Sequence, residues 1–190
     1  MICRDSQHSP GSGDLVVAGS DTCEIRAAGC HIDDKPGFLR VLKDAGQRFN
    51  THIVCFNADM LAGRRHAESA MIHAIRSFEA GTAISKTLEM EALLYAAGSR
   101  QCSIAASFGL QEGDNSLWVC CYPPVEGLWD VLAPVLHFQE VCDGDAIDQK
   151  KRELLIRVFD ITPEELGSFD NEDRIGDLVL ERVALLDVLR

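Results

Sequence analysis

The residues best suited to chemistry are Gly98, Ser99, Arg100 and Gln101, with Lys86 a little upstream. A glycine turn leading into a serine-capped helix leaves free backbone N–H groups at the positive end of a helix dipole. A guanidinium beside them makes a binder of phosphate or another anion. The same four residues also read as a plain turn between two helices with a solvated arginine, and Lys86 as a solvated lysine at a helix start. Other pairings offer less. His66 and His73 stand seven residues apart on one helix, about 10 Å, too far to share a metal without ligands from elsewhere. Glu89 and Glu91 lie two apart on a helix, point roughly 200° away from each other, and cannot form a carboxylate pair within it. Cys55, near a strand end, acts as a nucleophile only if the fold brings it a base; otherwise it is a small buried hydrophobe. The chain has no Gly-rich phosphate loop before a helix, no GxSxG and no HExxH.

These residues need elements to position them. Residues 22–32 read as a strand, and residues 36–49 carry Phe38, Leu39, Leu42, Ala45 and Phe49 at helical spacing behind Pro36. Residues 51–56 read as a second strand. Asn57 or Asp59 then caps a helix in which Ala67, Ala70, Met71, Ala74, Ile75 and Phe78 form one stripe that ends at Gly81. Thr87 caps a helix running to Ala97 whose apolar residues lie on nearly every face, implying burial, and Gly98 stops it. Ser99 caps a second, short helix with Gln101, Ile104, Ala105 and Phe108 on one side before Gly109. A turn at residues 113–115 and a strand at 116–122 follow. After Pro123 and Pro124 come helices at 126–137, 147–159 and 173–189, with a short turn at 163–166. The predicted class is α+β: a small mixed, mainly antiparallel sheet packed with several helices, and a helical C-terminal part. Residues 1–14 lack periodicity and read as a loose tail, leaving residues 15–190 as a single domain. The last helix is apolar over more than one stripe, so either it is deeply buried or one face docks on a partner.

The chain has 190 residues, with 18 Lys and Arg against 30 Asp and Glu, a net charge of −12. An autonomous, non-specific grip on nucleic acid needs a basic domain, so the balance weighs against that class. The acid is uneven, however: residues 1–63 carry −2, residues 64–104 carry +1 and residues 105–190 carry −11. The nucleic-acid candidates all lie in the near-neutral middle. A hydrophobic content of 46% excludes a disordered chain. Eight cysteines with no pair three residues apart read as reduced thiols, and Cys120 and Cys121, neighbours on one strand, face opposite ways. No apolar run approaches the ~20 residues of a membrane span, so a cytoplasmic protein without membrane contact is expected.

One ordered set of fragments goes further. Asn57-Ala58-Asp59 with Ala62-Gly63 is followed by Arg65-His66 with Ala67, Ala70 and Ala74, then Ile84-Ser85-Lys86 with Glu91. Leu93-Leu94-Tyr95, Gly98-Ser99-Arg100-Gln101-Cys102, Ala105 and Gly109-Leu110 continue it, and Leu180-Glu181-Arg182-Val183-Ala184-Leu185-Leu186 closes it. Together they resemble the TPRKB-like subunits of the KEOPS complex, which makes threonylcarbamoyladenosine at adenosine 37 of tRNA. The resemblance runs from about residue 23 to the C-terminus; Cys102 stands where the family more often has a branched aliphatic residue, a change in packing only. It implies a non-catalytic subunit without cofactor or metal. Such a subunit binds and stimulates the small atypical kinase/ATPase subunit, recruits tRNA by its single-stranded 3′ CCA end, and serves the threonylcarbamoyl transferase subunit indirectly. By position, Lys86, Gly98, Ser99, Arg100 and Gln101 become the RNA contacts, and Leu178, Arg182, Leu185 and Leu189 one line of the kinase contact. A protein-binding stimulator or scaffold with no RNA contact of its own is the competing reading, and a small thiol enzyme a distant third.

Overall fold

The structure, a computed structural model, describes residues 15–16, 23–139, 146–167 and 172–188. The expected loose tail and Leu189 lie outside the described residues. A two-residue strand, β1 (Leu15–Val16), precedes β2 (Cys23–Ile32). Helix α1 (Lys35–Phe49) starts where the Asp34 carboxylate accepts the Gly37 N–H at 3.1 Å, with Pro36 in its first turn, and stops at Asn50 in a left-handed conformation. Strand β3 (His52–Asn57) follows at once. Asn57 does cap, but it caps a single 3₁₀ turn, Ala58–Met60; α2 (Arg64–Glu79) begins only after Gly63, whose φ of +87° suits glycine. Next come α3 (Leu88–Ala96), the one-turn α4 (Cys102–Ala105) and β4 (Gly113–Tyr122), which takes in the residues expected as a turn.

The region after the two prolines departs most from expectation. The predicted helix over 126–137 is cut to α5 (Leu128–Leu132), and His137–Gln139 form a further strand, β5, paired with Ala27, Ala28 and Gly29 of β2. Pro134 gives the reason: it lacks an N–H, and its ring clashes with the carbonyl four residues back, so the helix cannot run through it. Helices α6 (Gln149–Val158), α7 (Pro163–Leu166) and α8 (Glu172–Val188) complete the α+β fold.

Every strand pairing among the described residues is antiparallel, and the sheet runs β1-β2-β4-β3 with β5 also on β2. β2 and β3 therefore flank β4 and run parallel to each other. The alternation of strand side chains divides the interior in two. Cys23, Ile25, Ala27, Val54, Phe56, Trp118 and Cys120 pack with α2, α3, α6 and α8 on one face, while Ala28, Cys30, Ile32, Ile53, Cys55, Val119 and Cys121 meet α1 and α5 on the other. Cys120 and Cys121 face opposite ways, as the strand period requires.

Candidate functional site

Helix α3 holds the two ends of the site. Its N-terminal end is built around a buried charge: Glu91 has no exposed surface, in a helix whose other buried residues are apolar or aromatic. A carboxylate so placed needs several donors. Glu91 accepts from Ser77 Oγ at 2.9 Å, the Ile84 N–H at 3.0 and 3.1 Å and the Ser85 N–H at 2.7 Å. Ser85 Oγ donates to the Thr87 carbonyl at 2.6 Å, and Thr87 Oγ1 accepts from the Met90 N–H at 3.3 Å. The segment at residues 84–86 is thus moored from three sides, with Lys86 and Ile84 facing solvent. Sequence reasoning weighed Glu91 only as a partner for Glu89; a second acid on a helix apolar on nearly every face was the signal that one of the two must be buried among donors. Its neighbour Glu89 points elsewhere and bonds His52 Nδ1 at 2.8 Å, so the two carboxylates diverge as their spacing demands.

The C-terminal end of α3 turns at Gly98, with φ +54°; the Gly98 N–H bonds the Tyr95 carbonyl at 2.9 Å and the Ser99 N–H the Leu94 carbonyl at 3.1 Å. A methyl group at Gly98 would sit 3.5 Å from Arg182 Cβ and 3.6 Å from Phe159 Cε1, so the turn lies directly on α8 and the end of α6. Behind it, His66 is fully buried. Its Nδ1 accepts from the Ala62 N–H at 3.2 Å and its Nε2–H donates to the Ala96 carbonyl at 2.9 Å, which fixes a neutral ring. Burial lowers its pKa to about 3. Phe159 meets both His66 and Phe108 edge-on, at 5.7 and 6.0 Å.

Ser99 does not cap the next helix. Its Oγ accepts the Gln101 N–H at 3.2 Å, and Gln101 stands at the N-cap of α4 with no side-chain bond. Four residues supply little of a helix dipole, so the helix-terminus part of the anion argument falls away. What remains is Arg100 and Gln101, both exposed on a turn held from behind, and Lys86 at the far end of α3. At 1.5 Å per residue, α3 itself is about 14 Å long, with these two cations on the segments that flank its opposite ends. Ile104, expected inside, is 39% exposed.

The chain itself uses part of the line expected on α8. Leu178 is 2% exposed and packs in the core with Ile175, Val179, Val183 and Leu186. Arg182 is half-buried and turned inward, its Nε donating to the Phe159 carbonyl at 3.3 Å and its other guanidinium nitrogen meeting Glu165 at 2.6 Å. Leu185 faces out, at 44% exposure, and shares that face with Asp177, Glu181, Ala184 and Val188. Asp187 pins the last turn to the body through His73 Nδ1, at 2.6 Å, and the Tyr95 hydroxyl. The two histidines thus serve packing, and no group of three metal-ligating side chains occurs among the described residues. Burial raises the Cys23 and Cys121 thiols to about 11 and the Cys55 and Cys120 thiols further still, which leaves these four protonated and poor nucleophiles.

The arrangement offers two solvated cationic points at the ends of one rigid helix and an outward helix face that mixes acid with aliphatic side chains. No match was found among curated proteins. Residues 37–187, about four-fifths of the chain, match the family model described as kinase binding protein CGI-121.

Proposed function

The chain belongs to the CGI-121 family of kinase binding proteins, and from that membership we propose that it is the non-catalytic KEOPS subunit that binds and stimulates a small atypical kinase/ATPase. We further propose that it recruits tRNA by the single-stranded 3′ CCA end for threonylcarbamoylation of adenosine 37, in the cytoplasm. The family match carries the kinase half. The outward face of α8, with Leu185 and Val188 exposed beside Asp177 and Glu181, suits a partner surface that is apolar at its centre and basic at its rim.

The RNA half rests on Lys86, Arg100 and Gln101. Each is exposed on backbone held from behind, by Glu91 at one end and by α8 at the other. Gly98 and Ser99 shape that turn. A single strand is held by a few phosphate contacts and hydrogen bonds to splayed bases, which cations at the two ends of a helix about 14 Å long would supply at separate nucleotides. Purified protein is expected to bind intact tRNA and to lose at least ~10-fold in affinity when the CCA end is trimmed or when Arg100→Glu is introduced. Equal binding of trimmed and intact tRNA would end the RNA-end reading. The single-turn α4 favours a second reading, a protein-binding stimulator without RNA contact. There Arg100→Glu leaves tRNA affinity unchanged while Leu185→Asp still abolishes kinase binding.

A further inference from the structure

Strand β3 is the last strand of the sheet on its side, and beyond it lies a cavity of about 770 Å³. Thr51, His52, Ile53, Val54 and Cys55 all line it. Side chains along a strand alternate between faces, so five consecutive residues can border one cavity only through the backbone edge they share. The side chains confirm that placement: Val54 belongs to the core on the α3 face, and Ile53 and Cys55 to the core on the α1 face. The cleft therefore opens between the two helical layers, with main-chain groups as its floor. An antiparallel strand turns the N–H and C=O of alternate residues to either side, so every second residue of β3 pairs with β4 and the others offer theirs to the cleft; no main-chain partner other than β4 occurs for Ile53, Val54 or Cys55 among the described residues.

The walls are apolar on both sides: Leu39 and Leu42 from α1, Leu93 from α3 and Leu110 just beyond it. Leu39 is 47% exposed although its spacing placed it on the buried stripe of α1, so it presents an aliphatic side chain to the cleft rather than to the core. Lys43, one turn further along α1, adds a cation at the rim, while the carboxylate of Glu89 opposite is already engaged by His52 at 2.8 Å.

We propose that this cleft takes an extended peptide segment of a partner protein, added as a strand to the free edge of β3. The segment has apolar side chains on both faces and one acidic residue opposite Lys43. Main-chain donors and acceptors at strand spacing are matched by another extended backbone, and two apolar walls are matched by alternating side chains directed to either side. With α1 on one side and α3 on the other, the cleft suits one segment rather than the sheet of a second folded copy. None of the residues assigned to RNA or to the outward face of α8 takes part, so this proposal stands or falls separately from those readings.

The test uses the full chain and a synthetic library of heptapeptides built from Val, Ile, Leu and Thr, each with at least two aliphatic residues on either face of the extended chain and one Thr replaced by Asp. Each peptide has a twin N-methylated at all its backbone nitrogens, which cannot donate to a strand from either edge. Members binding at about 100 µM or tighter are expected, with twins at least ~10-fold weaker and with hydrogen exchange slowed at alternate amides of residues 52–56. Leu39→Asp and Lys43→Glu, both at exposed positions, are each expected to weaken binding by ~10-fold, and replacing Asp by Lys in the peptide restores affinity for Lys43→Glu. Arg100→Glu leaves peptide binding unchanged. The proposal is overturned if no peptide binds, if twins bind equally, or if the trinucleotide CCA protects the same amides and displaces the peptides. Protection of those amides by concentration-dependent dimerisation of the protein alone would overturn it as well.

Discussion

A carboxylate with no exposed surface survives only where donors surround it, and Glu91 gathers a hydroxyl and two backbone N–H groups around its two oxygens. Replacing it by Gln removes the charge and turns an amide N–H₂ toward groups that are themselves donors. Glu91→Gln is therefore expected to cost about 1.5–3 kcal/mol in urea denaturation, with faster hydrogen exchange at Ile84 and Ser85. His66 makes the complementary case, a base kept neutral by burial. Its folded pKa of about 3 lies below the ordinary 6.5. Between those values the unfolded chain holds a proton that the folded chain lacks, so this contribution falls as pH drops, by up to about 1.4 kcal/mol per unit. His31 and His52, raised by their bonds to Asp114 and Glu89, act in the opposite direction: their stabilisation is present below the ordinary value and is lost as pH rises through the folded one. The difference between parent and His66→Phe isolates the buried ring. That variant is expected to be less stable at neutral pH, through two lost hydrogen bonds, and the gap in urea midpoint is expected to narrow between pH 7 and about pH 4. A constant gap would mean that the ring takes up its proton equally in the folded and unfolded chain.

At the scale of an element, α8 shows what periodicity conveys and what it leaves open. Apolar residues on more than one stripe left two outcomes open, a deeply buried helix or one with a face turned to a partner; Leu178 and Leu185 are the same residue type, two turns apart, and only packing assigns one inward and one outward. Leu178→Ala is expected to cost about 2–5 kcal/mol of stability, as a cavity in the core. Leu185→Ala is expected to change stability by no more than about 0.5 kcal/mol, while lowering affinity for the kinase partner by ~10-fold in calorimetry. The reverse pattern would place the partner surface off this helix. The strand after α5 was lost for a different reason. Three residues carry too little alternation to register, and the helical spacing over 126–137 hides the break that Pro134 imposes after α5.

Across the whole molecule, the net charge of −12 constrains the proposed RNA contact. An acidic body repels a long polyanion, so contact confined to Lys86 and Arg100 is expected to give a shallow salt dependence, with log K falling by about 1.4 per decade of salt for two phosphates of a single strand. A much steeper slope would require cations that these two residues do not provide.

The kinds of element and most of their spans follow from the sequence itself. Caps such as Asp34 and Thr87, stops such as Gly81 and Gly98, and helical or strand periodicity all act within a few residues, and they decide those features locally. The tertiary structure decided what meets across long separations. It brought Glu91 to Ser77, His66 to Ala96 and Gly98 to Arg182. It also turned Leu178 inward and left the edge of β3 open between two helical layers. Those outcomes depend on strand order and on how helices from different parts of the chain cross, and no local pattern carries that information.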